Sequence, residues 1–150
     1  MKKLMVFATA ILLSCTVYAD PIPAQLKKSI MGFDVQGIDL KNKTLRIVLN
    51  RPVATQDIYR EVIRLGVCAP LWLDSKHGWE KAEIEKIEVM NKIQGQGFAF
   101  TGGRKSCDDL GSAKGSDENR YFDSHTWVCV AGFPCRPRRD GEKISGDPGQ

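Results

Sequence analysis

The first 19 residues decide how the rest of this 150-residue chain is read. Lys2 and Lys3 precede the apolar run 4–13, and a short stretch then ends at the small residue Ala19. This is the layout of a bacterial export signal with its cleavage site. We therefore exclude the segment from the fold and expect a mature chain that begins at Asp20, in the periplasm or secreted into the medium.

The apolar run is too short to be a membrane anchor. About ten residues cannot cross a hydrocarbon core that needs roughly 20 residues as a helix, so we expect no transmembrane segment in the mature chain. Residues 12–15, Leu-Leu-Ser-Cys, resemble the lipobox of bacterial lipoproteins. That resemblance implies an alternative in which Cys15 is acylated and anchors the protein to a membrane. A lipobox usually has a small residue where this sequence has the bulky Leu13, immediately before Ser14. We therefore favour cleavage after Ala19.

The mature chain is nearly neutral. Loss of Lys2 and Lys3 leaves 20 basic residues against 18 acidic ones, a net charge of about +2. A binder of nucleic acid normally carries a strong positive excess. We therefore expect no nucleic-acid partner.

Four cysteines remain after cleavage, and an even number in an oxidising compartment predicts two disulfides. We favour Cys68 with Cys107 and Cys129 with Cys135, although three pairings are formally possible. The second pair encloses only residues 130–134, where Gly132 and Pro134 suit a tight turn. The first pair closes a longer loop and so constrains the unfolded chain more, by roughly 3–4 kcal/mol.

The sequence predicts no catalytic, metal or cofactor site. No paired CxxC or other familiar zinc spacing is present, and the G-x-S-x-G elbow of serine hydrolases is absent. Only His77 and His125 could act as general bases, with Asp74 and Asp123 among the neighbouring acids. A small envelope hydrolase that uses either histidine is thus an alternative function, but neither histidine has a matching nucleophile.

Alternation of apolar and polar residues predicts several short strands. The alternating segments are 33–40 with a bulge near Gly37, 45–49 after a turn at 41–43, 87–93, and 98–100. Ile58, Val62 and Leu65 instead recur at helical spacing, between a Thr55 cap and Gly66. Residues 67–73 are predicted to be a strand or loop, and residues 25–31 a short helix.

These elements predict an α+β fold in which a small antiparallel sheet is packed by one main helix and held by disulfides. After Cys107 the chain is rich in Gly, Ser, Asp and Lys, which predicts a loop-rich C-terminal segment. We expect a signal at 1–19, an α+β domain at 20–111, and an extension at 112–150 with a small disulfide loop.

The sequence predicts a non-enzymatic binding or accessory module whose partner is an unknown envelope or extracellular protein. An inhibitor of that partner is one form that such a module could take. Export, small size, two disulfides and the lack of a catalytic pattern support this prediction. Trp72 and Trp79 flank a polar loop that contains Asp74 and His77. Aromatic residues are enriched where binding energy concentrates, so these four residues are the predicted partner surface.

Overall fold

The computed structural model describes residues 21–139 and 142. One sheet contains six strands: β1 (Val35–Lys41), β2 (Thr44–Leu49), β3 (Lys86–Met90), β4 (Gln96–Thr101), β5 (Thr126–Val130) and β6 (Arg136–Pro137). Five α-helices accompany it: α1 (Ala24–Ile30), α2 (Gln56–Glu61), α3 (Ala69–Leu73), α4 (Arg104–Ser112) and α5 (Ser116–His125). The predicted signal and Cys15 lie outside the described residues.

The strands lie in the order in which they occur along the chain, from β1 at one edge to β6 at the other. Neighbouring strands are antiparallel, except that β2 and β3 are parallel. A parallel pair needs a crossover connection, which the helices between residues 50 and 85 supply. The α+β class is confirmed, with the correction that the sheet is mixed rather than wholly antiparallel.

The β1–β2 hairpin forms where the sequence predicts it. The register shifts between Val35 and Gly37, which confirms the bulge. Asn42 and Lys43 form the turn with φ angles of 50° and 58°. Two successive positive φ angles match the right-handed twist of a tight hairpin.

The predicted main helix begins as expected but does not end at Gly66. The hydroxyl oxygen of Thr55 accepts a hydrogen bond from the backbone N–H of Ile58 and caps α2. The chain then continues through a π-helical segment (Val62–Cys68) directly into α3. The prediction of a strand or loop at 67–73 is therefore wrong, because a short apolar run fits a buried helix as well as a strand.

The expected loop-rich segment after Cys107 contains two helices, α4 and α5. Each is polar on its outer side and buries a few residues against the rest of the molecule: Cys107, Leu110 and Phe122. Residues 126–130 then pair with β4 as β5. The segment at 112–150 therefore contributes to the same sheet as the residues before it, and its expected start, residue 112, is the last residue of α4.

The helices pack on one face of the sheet. Alternate strand residues, including Ile47, Val89 and Phe98, share a buried cluster with helical residues such as Ile63. Within it the Tyr59 and Phe98 rings lie 5.1 Å apart. The opposite face, here called the open face, carries a separate small buried cluster: Met90, Ala99 and Cys129.

Candidate functional site

The structure contains both disulfides that the sequence favoured. Cys68 at the end of the π-helical segment is bonded to Cys107 in α4, across 39 residues of sequence. Cys129 in β5 is bonded to Cys135 just before β6, across 6 residues. The first bond is buried and joins two helical segments, whereas the second closes a short loop at the surface.

The predicted partner surface is only partly at the surface. Trp79 is fully buried, and its indole N–H donates to the carbonyl of Val67 at 2.8 Å. Trp72 is 39% exposed, and its indole N–H donates to the carbonyl of Cys107 at 2.9 Å. Trp79 thus belongs to the buried core, whereas Trp72 is accessible to a partner on α3.

Asp74 and His77 form a small turn beside α3. The Asp74 carboxylate accepts hydrogen bonds from the backbone N–H groups of Lys76 and His77 and lies 2.9 Å from Nδ1 of His77. The hydrogen bonds from His77 hold the pKa of Asp74 below its usual range. Both side chains are well exposed, so this pair resembles a surface turn rather than a catalytic dyad.

His125 has no arrangement suited to a general base. Its ring stacks on Tyr121 at 4.0 Å, and its Nδ1 lies 2.9 Å from the Tyr121 carbonyl. That carbonyl can only accept, so Nδ1 donates to it and Nε2 is the basic nitrogen. Among the described residues no hydroxyl or thiol hydrogen-bonds to Nε2, and the Ser124 hydroxyl lies 3.0 Å from Nδ1 instead. Asp123, the expected orienting acid, binds Arg60 at 2.7 Å instead. The geometry therefore gives the hydrolase hypothesis no support.

A different surface stands out around the Cys129–Cys135 loop. Phe133 at its tip is 76% exposed and Val130 is 49% exposed. The loop extends over the open face, because Sγ of Cys135 lies 3.7 Å from the carboxylate of Glu88 on β3. Since that sulfur is in a disulfide and has no proton, this is a contact and not a hydrogen bond.

A groove of about 470 Å³ runs beside this loop. Strand side chains line one side and the loop lines the other; the members used below are Arg46, Lys86, Glu88, Met90, Trp127 and Phe133. Its volume lies within the range of known small-ligand sites. We call the groove together with residues 129–135 the loop–groove surface.

Glu88 is the electrostatic centre of the groove. Its side chain is only 5% exposed, and its two oxygens bind Arg46 at 2.7 Å and Lys86 at 2.7 Å. Burial by itself would raise the pKa of Glu88, but the hydrogen bonds from Lys86 and Arg46 outweigh it and hold that pKa below its usual range. The carboxylate is therefore ionised at neutral pH and fixes both cations.

Sequence reasoning missed most of this surface. Cys129 and Cys135 revealed the loop, but nothing in the linear sequence places it against Glu88, 47 residues earlier. The available signal was the alternation of charge along 86–88, with Lys86 and Glu88 on one face of a strand. That pattern is typical of any solvated strand and so did not single out a site.

No protein-family model, no curated protein and no solved structure matches this chain. In the part of the chain that the structure describes, no helix is both long and apolar enough to span a membrane. The same residues contain no cluster of three or more histidine, cysteine or acidic side chains that could bind a metal ion.

Proposed function

We propose that this protein is an exported, non-enzymatic binding module that recognises an envelope or extracellular protein through the loop–groove surface. The observation that carries the proposal is Phe133, a large aromatic side chain that is 76% exposed on a loop closed by a disulfide. Burying such a ring in a partner gains apolar contact area. The arrangement is also consistent with an inhibitor that inserts this loop into its target.

The disulfide matters because it orders the loop before binding. A free loop loses conformational entropy when a partner immobilises it, and a loop that is already closed loses less. Cys129 is itself almost fully buried beside Met90 and Ala99, so the base of the loop is anchored on the open face. The preorganised loop supports recognition of a partner rather than a purely structural role for the bond.

Retention of partner proteins on the immobilised mature chain tests the site. The unmodified chain is compared with Phe133→Ala and with the control Leu73→Ala, which removes a side chain that is 88% exposed on α3. We expect Phe133→Ala to weaken binding at least tenfold, as for a residue at the centre of an interface, and Leu73→Ala to have little effect.

The control also distinguishes the two candidate surfaces. Leu73 lies next to Trp72 and Asp74 in the surface that the sequence predicted. Loss of binding in Leu73→Ala but not in Phe133→Ala would move the site to α3. Turnover of a substrate that His77→Ala or His125→Ala abolishes would replace the binding module by the hydrolase.

Export is the second part of the proposal. It is supported by the signal pattern at 1–19 and by the presence of two disulfides, which persist in oxidising compartments. The intact mass of the protein recovered from its source tests it. We expect an unmodified chain that begins at Asp20, whereas a lipid-modified chain that begins at Cys15 would establish the lipoprotein alternative.

A further inference from the structure

The charged part of the loop–groove surface carries an unbalanced positive charge. Arg46 and Lys86 share the single carboxylate of Glu88, and their side chains are 45% and 37% exposed, against 5% for Glu88. A ligand in the groove therefore meets two cations and almost none of the acid between them. Asp39, opposite Arg46 on β1, is the nearest other acid in the sheet register, and Lys41 on the same strand offsets it.

The other part of the groove is apolar. Trp127, Met90 and Phe133 line it together with the Cys129–Cys135 bond. Arg46, Glu88, Ala99 and Trp127 occupy one register row across β2, β3, β4 and β5. Neighbouring strands lie about 4.8 Å apart, so the backbone positions of Arg46 and Trp127 are about 14 Å apart. Cationic and apolar parts thus adjoin within the reach of a short peptide.

We propose that the groove binds an extended segment of a partner protein that combines an apolar side chain with an acidic one two to four residues away. The apolar side chain packs between Trp127 and Phe133, and the carboxylate pairs with Lys86 and Arg46. This inference rests on the proposed function and specifies the chemistry of the partner.

Charge complementarity selects this occupant. Arginine and lysine side chains in a peptide would face Arg46 and Lys86 and be repelled, since Glu88 is already bound to both. In an extended chain, residues two positions apart lie about 7 Å apart on the same side. Two to four residues therefore span about 7–14 Å. The side chain of Arg46 shortens the distance to be spanned, because it reaches across to Glu88 on β3.

Selection from a library of random seven-residue peptides displayed on phage tests the inference on the full mature chain. We expect enriched peptides that carry Asp or Glu two to four positions from an aromatic or aliphatic residue. In a synthetic copy of an enriched peptide, replacement of the acid by its amide should weaken binding about tenfold. Binding of the acidic peptide should also fall as salt is raised, because the cations are partly exposed.

Protein variants locate the contact. Lys86→Met should weaken the acidic peptide about tenfold and leave its amide version nearly unchanged, because Arg46 still pairs with Glu88 and preserves the strand. The matched control is Lys43→Met. Lys43 lies on the β1–β2 turn, away from the groove, and like Lys86 it is a lysine in ion pairs with acids, here Glu83 and Glu85. The amide version of the peptide and the salt series need no change to the protein. They therefore test the acidic-segment inference even if Lys86→Met misfolds.

The contrary results are distinct from failure of the proposed function. Enriched peptides without acidic residues, equal affinity for the acid and its amide, or no enrichment at all would each overturn the acidic-segment inference. The proposed function would survive any of these if Phe133→Ala still abolished retention of the partner. Conversely, acidic peptides that require Lys86 would support the inference even if Phe133→Ala left partner retention intact.

Discussion

The hydroxyl of Ser29 on α1 donates a hydrogen bond to the carbonyl of Leu65, 36 residues later, at 2.9 Å. In the π-helical segment a backbone N–H bonds the carbonyl five residues earlier, as Ala69 does with Arg64. The next residue, Pro70, has no N–H to give to Leu65. Ser29 therefore replaces the donor that the proline removes. Its hydrogen bond joins α1 to the π-helical segment between α2 and α3.

Ser29→Ala should leave the Leu65 carbonyl without its protein donor. We expect a loss of about 1 kcal/mol in the free energy of unfolding, measured by urea denaturation. Ser112→Ala is the control: its hydroxyl also donates to a carbonyl, that of Asp108 at 3.0 Å, but this carbonyl lies within the backbone hydrogen bonds of α4. The control should cost less.

A double-mutant cycle with Pro70→Ala tests the explanation. Alanine restores an N–H at position 70, so the hydroxyl of Ser29 becomes less necessary. Ser29→Ala should then destabilise the Pro70→Ala protein less than it destabilises the unmodified chain. Equal losses in the two backgrounds would show that Ser29 does not act for the missing proline donor.

The two disulfides should differ in their contribution to stability. The Cys68–Cys107 bond spans 39 residues and the Cys129–Cys135 bond spans 6. The loss of unfolded-chain entropy on closing loops of these sizes corresponds to about 4 and about 2 kcal/mol. Replacing each pair by serines should thus lower the thermal midpoint much more for Cys68 and Cys107. A larger loss for the surface pair, in parallel calorimetric scans, would contradict this order.

Strands were easier to predict from this sequence than helices. At β2 and β4 large apolar residues alternate with polar or small ones, and the large ones, such as Ile47 and Phe98, lie in the main buried cluster. At 67–73 the apolar run predicts a strand or loop, whereas these residues are helical and continue a π-helical segment in which buried residues recur at a different spacing. Gly66, expected to end the helix, instead packs against Phe33 from a distant part of the chain.

The polar helices α4 and α5 show a different limit of sequence reasoning. Their compositions contain the Gly, Ser and Asp that favour loops in isolation. Tertiary contacts decide otherwise: α4 is bonded to Cys68, and Arg60 on α2 donates to Asn119 and Asp123 on α5. Apart from the cysteine pairing, which the sequence predicts, contacts between residues so distant in sequence carry no local signal, which is also why the loop–groove surface could not be predicted.

Acid should weaken the fold through Glu88. In the folded state the pKa of Glu88 is below 4.5, the ordinary value for a glutamate. The stabilisation that ionised Glu88 contributes is therefore complete above about pH 4.5 and is lost as the pH falls through the folded-state pKa. Glu88→Gln should cost about 1–3 kcal/mol at pH 7, because Lys86 and Arg46 lose a charged partner. The variant should also lose less stability than the unmodified chain between pH 6 and pH 3, measured by urea denaturation. An unchanged pH dependence would show that other carboxylates dominate.

Gly111 in α4 is expected to resist replacement by alanine, although alanine is the better helix former by about 1 kcal/mol. A Cβ atom at this position would lie 2.6 Å from Nε1 of Trp72, in the indole that donates to the carbonyl of Cys107. The added methyl group must displace this ring and its hydrogen bond, so we expect Gly111→Ala to lower the free energy of unfolding by about 1–3 kcal/mol.

Trp72→Leu removes the obstructing ring and serves as the second background. If the indole causes the loss, Gly111→Ala should be neutral or stabilising there, since only helix propensity then remains. The same loss in both backgrounds, by urea denaturation, would place the cause elsewhere in α4.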